Sequence, residues 1–423
     1  MKFITKSGTE FQYDSIGNAM YNSNKELISA PMSMDYTGLK DGHNTPFKTR
    51  NPVALRILFG HACNYSCSYC MQKDIGNPDE RPKSMYADEF IRNLGTLNLE
   101  GLERVELWGG EPFLYWEDIK TVMLALDNPG LHFFISTNGS PLRQKHVDLF
   151  KELKATVALG ISHDGPAHEE LRGEEILHKP HIQKVLKQLD DLYPKVQFSF
   201  NTVVSDTNWD LFAINDFFYK HVQSLKLKNP TLSFTLGRSY DETDSKNSFD
   251  VVVRDLEGLR KMCTKYINAH IEQLKEFGLR KDLPLMNCNI FNGGAGSIKY
   301  AQHMREIIPI SMTSNCGADA ADILSLDIKG NIRLCPHTEH ISGKLTQLDN
   351  IEITGMDLDK KDSHCGTCHV KRLCKSSCPI AFPDKTFIKN CQAEKIWYGA
   401  IQLGAFALLF GEECYKAPLP QSH

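Results

Sequence analysis

From about residue 52 the chain alternates between two hydrophobic rhythms. Short apolar runs with strand character occur at 53–59 (VALRILF), 104–108 (RVELW), 132–137 (HFFIST), 156–162 (TVALGIS), 196–204 (VQFSFNTVV) and 232–237 (LSFTLG). Between them, apolar residues recur at helical spacing over 85–97, 116–126, 144–153, 181–192 and 211–222. Six strands separated by five helices predict right-handed βαβ units and a parallel sheet. Ligands of such sheets gather at the carboxyl ends of the strands. Residues 1–50 are polar, with a hairpin expected around Ser7-Gly8 and a loop thereafter. A long helix is predicted over 255–280. Past Pro284 the pattern breaks into short strands, glycines and cysteines, which places a boundary near 285–310. A last helix, roughly 393–411, follows.

Composition narrows the class. The 423 residues are 41% hydrophobic and 24% charged, close to the globular average, which argues against disorder or a fibre. A net charge of −4 calls for neither nucleic acid nor an anionic membrane. The longest apolar run, Gly399–Gly411, is shorter than the ~20 residues that span a bilayer and reads as a buried helix. The start MKFITKSGTEFQYDS lacks the apolar core of a signal peptide, so a cytoplasmic location is expected. Thirteen cysteines then change the picture. A reducing compartment has little use for structural disulfides, an odd count leaves one thiol over, and short spacings point to metal.

Just after the first strand, Cys63, Cys67 and Cys70 are spaced C-x3-C-x2-C. Three thiolates on one loop suit three irons of a [4Fe-4S] cube, leaving the fourth iron open to a ligand. A zinc knuckle is the alternative, but zinc prefers four protein ligands; His61 is near and reads better as a loop residue. The other suggestive residues also follow strands: Gly109-Gly110-Glu111-Pro112 after the second, Ser136-Thr137-Asn138-Gly139 after the third, Ser162-His163-Asp164-Gly165-Pro166 with Arg172 after the fourth, and Asn201 after the fifth, each expected at a strand's carboxyl end.

This set, with the aromatic Tyr69 before the last cysteine, resembles the radical S-adenosylmethionine (SAM) enzymes. The resemblance implies a partial (β/α)6 barrel of the TIM type. It implies that Gly109, Gly110 and Glu111 receive the SAM amino group, that Ser162 and Asn201 contact its ribose or methionine part, and that Arg172 pairs with its carboxylate. Asn138 reads equally well as a SAM contact or as the cap of a turn, and Asp164 as a residue that holds its own loop. Further on, Cys316, Gly330 and Cys335 precede Cys365-x2-Cys368-x5-Cys374-x3-Cys378 and then Cys391, which resembles the SPASM domain. A pair of zinc sites is the alternative. By the resemblance, one auxiliary [4Fe-4S] cluster takes Cys316, Cys335 and Cys378, and the other takes Cys365, Cys368, Cys374 and Cys391. Cys288 is the candidate fourth ligand of the first, whereas Cys263 and Cys414 read as ordinary thiols. The chain is thus divided into a hairpin and loop segment (1–50), a radical SAM core (51–255), a connecting helix and bridge (256–310), and a SPASM domain with C-terminal helix (311–423).

The resemblance implies cleavage of SAM to a 5′-deoxyadenosyl radical, and three [4Fe-4S] clusters fed by an external one-electron donor such as flavodoxin or ferredoxin. It further implies a net two-electron oxidation that cross-links residues of a ribosomally made peptide, which the open side of a six-stranded barrel would admit. A sulfatase maturase making formylglycine, and a peptide epimerase, share the scaffold. Only about fifty residues precede the first barrel strand, without the three-helix pattern of a leader-binding domain. His163, Arg238, Tyr240 and Asp241 are candidates for acid–base work near the strand ends.

Overall fold

The fold comes from a computed structural model that describes residues 1–15, 17, 19–28, 47–72, 86–240, 249–275, 286, 288, 317, 320–333, 335, 340–351, 365, 368–375 and 384–417. The hairpin expected at Ser7-Gly8 is present as β1 (Lys2–Thr5) and β2 (Glu10–Asp14), but the sheet continues through β3 (Ala19–Tyr21) and β4 (Leu27–Ile28) where a loop was expected. Residues 414–416 complete it, pairing antiparallel to β1. Its buried face offers Phe3, Phe11, Tyr13 and Met20, a period-two pattern too short in each strand to stand out from a polar segment.

The central sheet follows the two rhythms closely. Its strands are β5 (Ala54–Leu58), β6 (Arg104–Trp108), β7 (His132–Thr137), β8 (Thr156–Ser162), β9 (Val196–Val204) and β10 (Thr231–Leu236), parallel neighbours in that order. The connecting helices are α1 (Ala87–Leu94), α2 (Trp116–Leu126), α3 (Gln144–Glu152), the short α4 (His168–Arg172), α5 (Pro180–Asp190) and α6 (Leu211–Leu225). Beyond β10, β11 (Ser239–Tyr240) and β12 (Phe249–Asp250) form a small ribbon before α7 (Leu256–Lys275). One strand was not anticipated: β13 (Ile323–Asp327) lies parallel to β5, and β14 (Asn331–Ile332) and β15 (Gly343–Lys344) extend that edge. The apolar run ILSLD is brief and sits among glycines and cysteines, so its membership in a sheet begun ~270 residues earlier carries no local signal. Among the described residues the sheet does not close on itself; β10 and β15 are its edges.

The chain ends with α8 (Lys371–Cys374), α9 (Asp384–Phe410) and β16 (Cys414–Lys416). Helix α9 starts earlier than the apolar pattern suggested and packs along α7. The Gly399–Gly411 run lies almost entirely within it, with Ala400, Ile401, Ala405, Phe406 and Leu409 buried. Among the described residues no helix is long and apolar enough to cross a membrane.

The core carries a pH liability at the start of α3. His146 is fully buried between the rings of Phe113 and Trp116, and its Nδ1 accepts the Arg143 amide at 2.8 Å. Burial, with nearby Lys145 and Arg143, pushes its pKa down to about 4. The unfolded chain takes up this proton near pH 6.5 while the folded chain resists it, so stability present above 6.5 is lost on acidification. Between pH 7 and 5, wild type is expected to lose roughly 2 kcal/mol more than His146→Phe, at ~1.4 kcal/mol per pH unit. Urea midpoints at the two pH values measure this; equal losses would refute it.

Candidate active site

The loop after β5 is held by backbone pairing before any ligand is considered. The Gly110 and Glu111 amides donate to the carbonyls of Gly60 and Ala62, both at 2.9 Å. A Cβ at position 110 would stand 2.3 Å from the His61 oxygen and 2.6 Å from the Ala62 oxygen, so only glycine allows this approach. The Tyr115 hydroxyl accepts the Ala62 amide at 2.9 Å. Cys63 is thereby presented exposed, Cys67 buried and Cys70 half-buried.

Among the described residues no three histidine, cysteine, aspartate or glutamate side chains converge tightly enough to chelate a single metal ion. A [4Fe-4S] cluster takes one thiolate per iron and needs no such convergence, and the C-x3-C-x2-C spacing of Cys63, Cys67 and Cys70 is compatible with it. Although Cys63 is exposed as a residue, the protein packed about its sulfur pushes its pKa up to about 11, with the charges of Glu111, Cys67 and Cys70 adding to the rise and the Tyr65 amide at 3.4 Å opposing it. Burial also raises Cys67, with Arg172 opposing it. Cys63 and Cys67, two thiols that resist ionisation until a cation shares their charge, fit iron.

Two buried carboxylates organise the strand ends. Glu111 accepts from the Thr137 hydroxyl (2.7 Å), the Asn138 amide (2.7 Å) and the Phe113 amide (3.1 Å). Burial outweighs these donors and lifts its pKa to about 7. Asp164 accepts the Val203 amide at 2.9 Å on one oxygen; on the other it accepts the Tyr69 hydroxyl, and Arg172 Nε at 2.7 Å. Its carbonyl accepts Asn208 Nδ2 at 3.0 Å. Asp164 thus holds its loop, and it also holds Arg172 through Nε. The Arg172 guanidinium lies over the Tyr69 ring at 5.2 Å and reaches Cys67 Sγ at 3.9 Å through Nη1.

Asn138 caps its turn, one of the two uses foreseen for it, and also turns its amide nitrogen toward the cysteine loop. Its oxygen caps the turn at the Ser140 amide (3.0 Å), and its Nδ2 meets Asn64 Oδ1 (3.0 Å) and Cys63 Sγ (3.9 Å). Ser162 and Asn201 are direct neighbours in the β8–β9 register. Asn201 Oδ1 accepts the Ser199 hydroxyl at 2.7 Å, and its amide group fills the space over Gly160. Tyr69, Gly109, Gly110, Glu111, Asn138 and Arg172 thus lie in or against the cysteine loop, whereas Ser162 and Asn201 stand side by side on β8 and β9.

His163 proves to be a structural residue. It is fully buried, its Nδ1 accepts the Gly165 amide, its Nε2 meets Glu175 at 3.1 Å, and its ring stacks on His168 at 3.7 Å. Burial pushes its pKa down. Arg238 pairs with Glu394 of α9 at 2.9 Å. Tyr240 lies in β11, and Asp241 falls outside the described residues. The braces Tyr115, Thr137, Asn208, His168 and Glu175 were missed; only Thr137 had a signal, standing inside the Ser136–Gly139 turn.

Of the later cysteines, Cys365 is buried and Cys335, Cys368, Cys374 and Cys391 are half-buried. Burial raises the Cys391 thiol, Lys395 opposes it, and Cys365 and Cys368 add to the rise. Cys374 Sγ lies 3.3 Å from Glu394, the partner of Arg238 at the end of the barrel strands. Cys316 and Cys378 fall outside the described residues. Cys288 is buried in the core and bridges Leu232 in the amino-terminal half of β10. Cys263 and Cys414 are buried core residues.

Residues 57–209 match the family model of the Radical SAM superfamily. The S-adenosylmethionine-dependent nucleotide dehydratase of Psychrobacter lutiphocae is 27% identical over 162 residues, covering 35% of this chain; the match spans about half, 54%, of that protein. Native anSMEcpe with bound AdoMet superposes with a TM-score of 0.59 at 17% identity, covering 85% of this chain and 100% of that one. Streptococcus suis SuiB bound to precursor peptide SuiA does so at 0.52 and 15%, covering 91% and 99%. The matched segment begins in β5, takes in the Cys63–Cys70 loop and ends past β9, so this part of the chain carries a radical SAM domain.

Proposed function

We propose that this enzyme oxidises and cross-links residues within a ribosomally made peptide, using SAM and three [4Fe-4S] clusters. A reduced cluster with SAM, when bound, supplies the radical that removes hydrogen from an unactivated C–H bond. Cys63, Cys67 and Cys70 would hold that cluster; the Gly109–Glu111 turn, Ser162 and Asn201 would orient SAM beside it. The carrying observation is the spacing of Cys365, Cys368, Cys374 and Cys391 at the far end of the chain, with Cys374 meeting Glu394, the partner of Arg238 just past β10. A second cluster there, and a third with Cys316, Cys335, Cys378 and Cys288, would accept the electron left on a substrate radical. The likeness in fold to a protein solved with a precursor peptide supports a peptide substrate. A flavodoxin or ferredoxin would supply the reducing electron, and the cytoplasm is the compartment that keeps these thiols reduced.

The test is mass spectrometry of short peptides encoded beside the gene, co-expressed with the enzyme. A loss of about 2 Da with fragmentation missing between two residues is expected, since the cross-link removes two hydrogens. An unchanged mass with an inverted stereocentre would instead make it an epimerase, and formylglycine on a sulfatase peptide a sulfatase maturase. The dehydratase match favours a nucleotide as the second reading. Nucleoside triphosphates consumed with SAM, and peptides left untouched, would establish it.

A further inference from the structure

Two polar side chains reach the sulfurs of the cysteine loop, and each is aimed by a buried carboxylate from a different strand end. Glu111, after β6, accepts the backbone N–H of Asn138 at 2.7 Å, and Asn138 Nδ2, also held by Asn64 Oδ1 at 3.0 Å, stands 3.9 Å from Cys63 Sγ. Asp164, after β8, accepts Arg172 Nε at 2.7 Å, and Arg172 Nη1 stands 3.9 Å from Cys67 Sγ. Both carboxylates are fully buried and held by other groups: Glu111 by Thr137 and Phe113, Asp164 by Val203 and Tyr69. The Tyr69 ring under the guanidinium completes a fixed seat for Arg172. Behind that seat, His168 Nε2 meets the Glu174 carbonyl at 2.8 Å and the His163–Glu175 pair ties down the same 163–175 segment. The Tyr65 amide, 3.4 Å from Cys63 Sγ, is a third donor, supplied by the loop's own backbone.

N–H donors directed at cluster sulfurs stabilise the electron-rich reduced form and so raise the reduction potential. We propose that Asn138 and Arg172 are the sulfur-facing donors that set the potential of the cluster held by Cys63, Cys67 and Cys70, with Glu111 and Asp164 as the positioning residues that aim them. The inference rests on that loop holding a cluster. It assigns Arg172 a task at the sulfur as well as at SAM, and it explains why an arginine meant for a ligand is anchored so firmly inside the protein. The shift falls on the cluster that must receive the first electron, so it governs which donors can reduce it.

The experiment is a dithionite-poised titration of the anaerobically reconstituted full chain followed by electron paramagnetic resonance, with the C63A/C67A/C70A chain as the blank for the other clusters. Asn138→Ala and Arg172→Gln are each expected to move the midpoint to more negative potential by at least a tenfold change in the reduction equilibrium, ~59 mV for one electron. Asp164→Asn, which keeps Arg172 but loosens its seat, is expected to shift it the same way by less. The resonance reports only loaded clusters, so partial assembly in a variant does not mask the result. Midpoints unchanged in both Asn138→Ala and Arg172→Gln would overturn the proposal. Identical spectra and iron content for wild type and the triple-cysteine blank would instead remove the cluster reading itself.

Discussion

Replacing Cys63, Cys67 and Cys70 together with alanine is expected to abolish 5′-deoxyadenosine formation and to lower bound iron by about four atoms per chain, from about twelve to about eight. The loop carrying them is pinned by backbone pairing to Gly110 and Glu111 and by the Tyr115 hydroxyl, none of which involves a cysteine side chain. The variant should therefore fold with the strand ends intact. Iron assay and product chromatography after reduction decide the matter. Undiminished iron, or surviving 5′-deoxyadenosine, would show that the loop is not the cluster site.

Phe406→Ala is expected to cost ~3–5 kcal/mol, the range for deleting a buried aromatic ring. Phe406 is fully buried in α9 and meets Phe3, Phe11 and Tyr13 edge-on at 4.9, 5.2 and 5.1 Å. It is the plug between the N-terminal sheet and the C-terminal helix. Chemical denaturation should show the loss, and limited proteolysis should find the first strands opened. A cost below ~1 kcal/mol would mean that the two segments are held together by something other than this ring cluster.

The central strands and helices were legible because each is long enough for its period to repeat, and β6 to β9 have the limits the apolar runs suggested. The strand-end motifs were legible because cysteine, glycine and proline at fixed offsets are rare by chance. What escaped was set by distant pairing. Ile323–Asp327 becomes a strand because β5 offers an open edge, and Ala19–Tyr21 because β2 does. The inner arrangement of the site escaped for a related reason. Arg172 could be assigned to a carboxylate from its chemistry, but that Asp164 supplies one depends on a turn which brings residues eight apart face to face at 2.7 Å. His163 looked reactive as a loop histidine; its stacking on His168 follows from that same turn.

The pairing of β1 with β16 joins residues 3 and 416. On the ribosome this makes the N-terminal sheet wait. At ~5–20 residues per second, roughly 20 to 80 seconds pass between synthesis of Phe3 and arrival of the strand and helix that cover it. The edge of β5 stays open for a large part of that time as well, until 323–327 emerge. A nascent chain with an uncovered aromatic face and an unpaired parallel edge is a substrate for chaperones and a risk for aggregation. Expression in the cold, or with added trigger-type chaperones, should therefore raise the soluble yield more for this chain than for an enzyme whose barrel closes in sequence order.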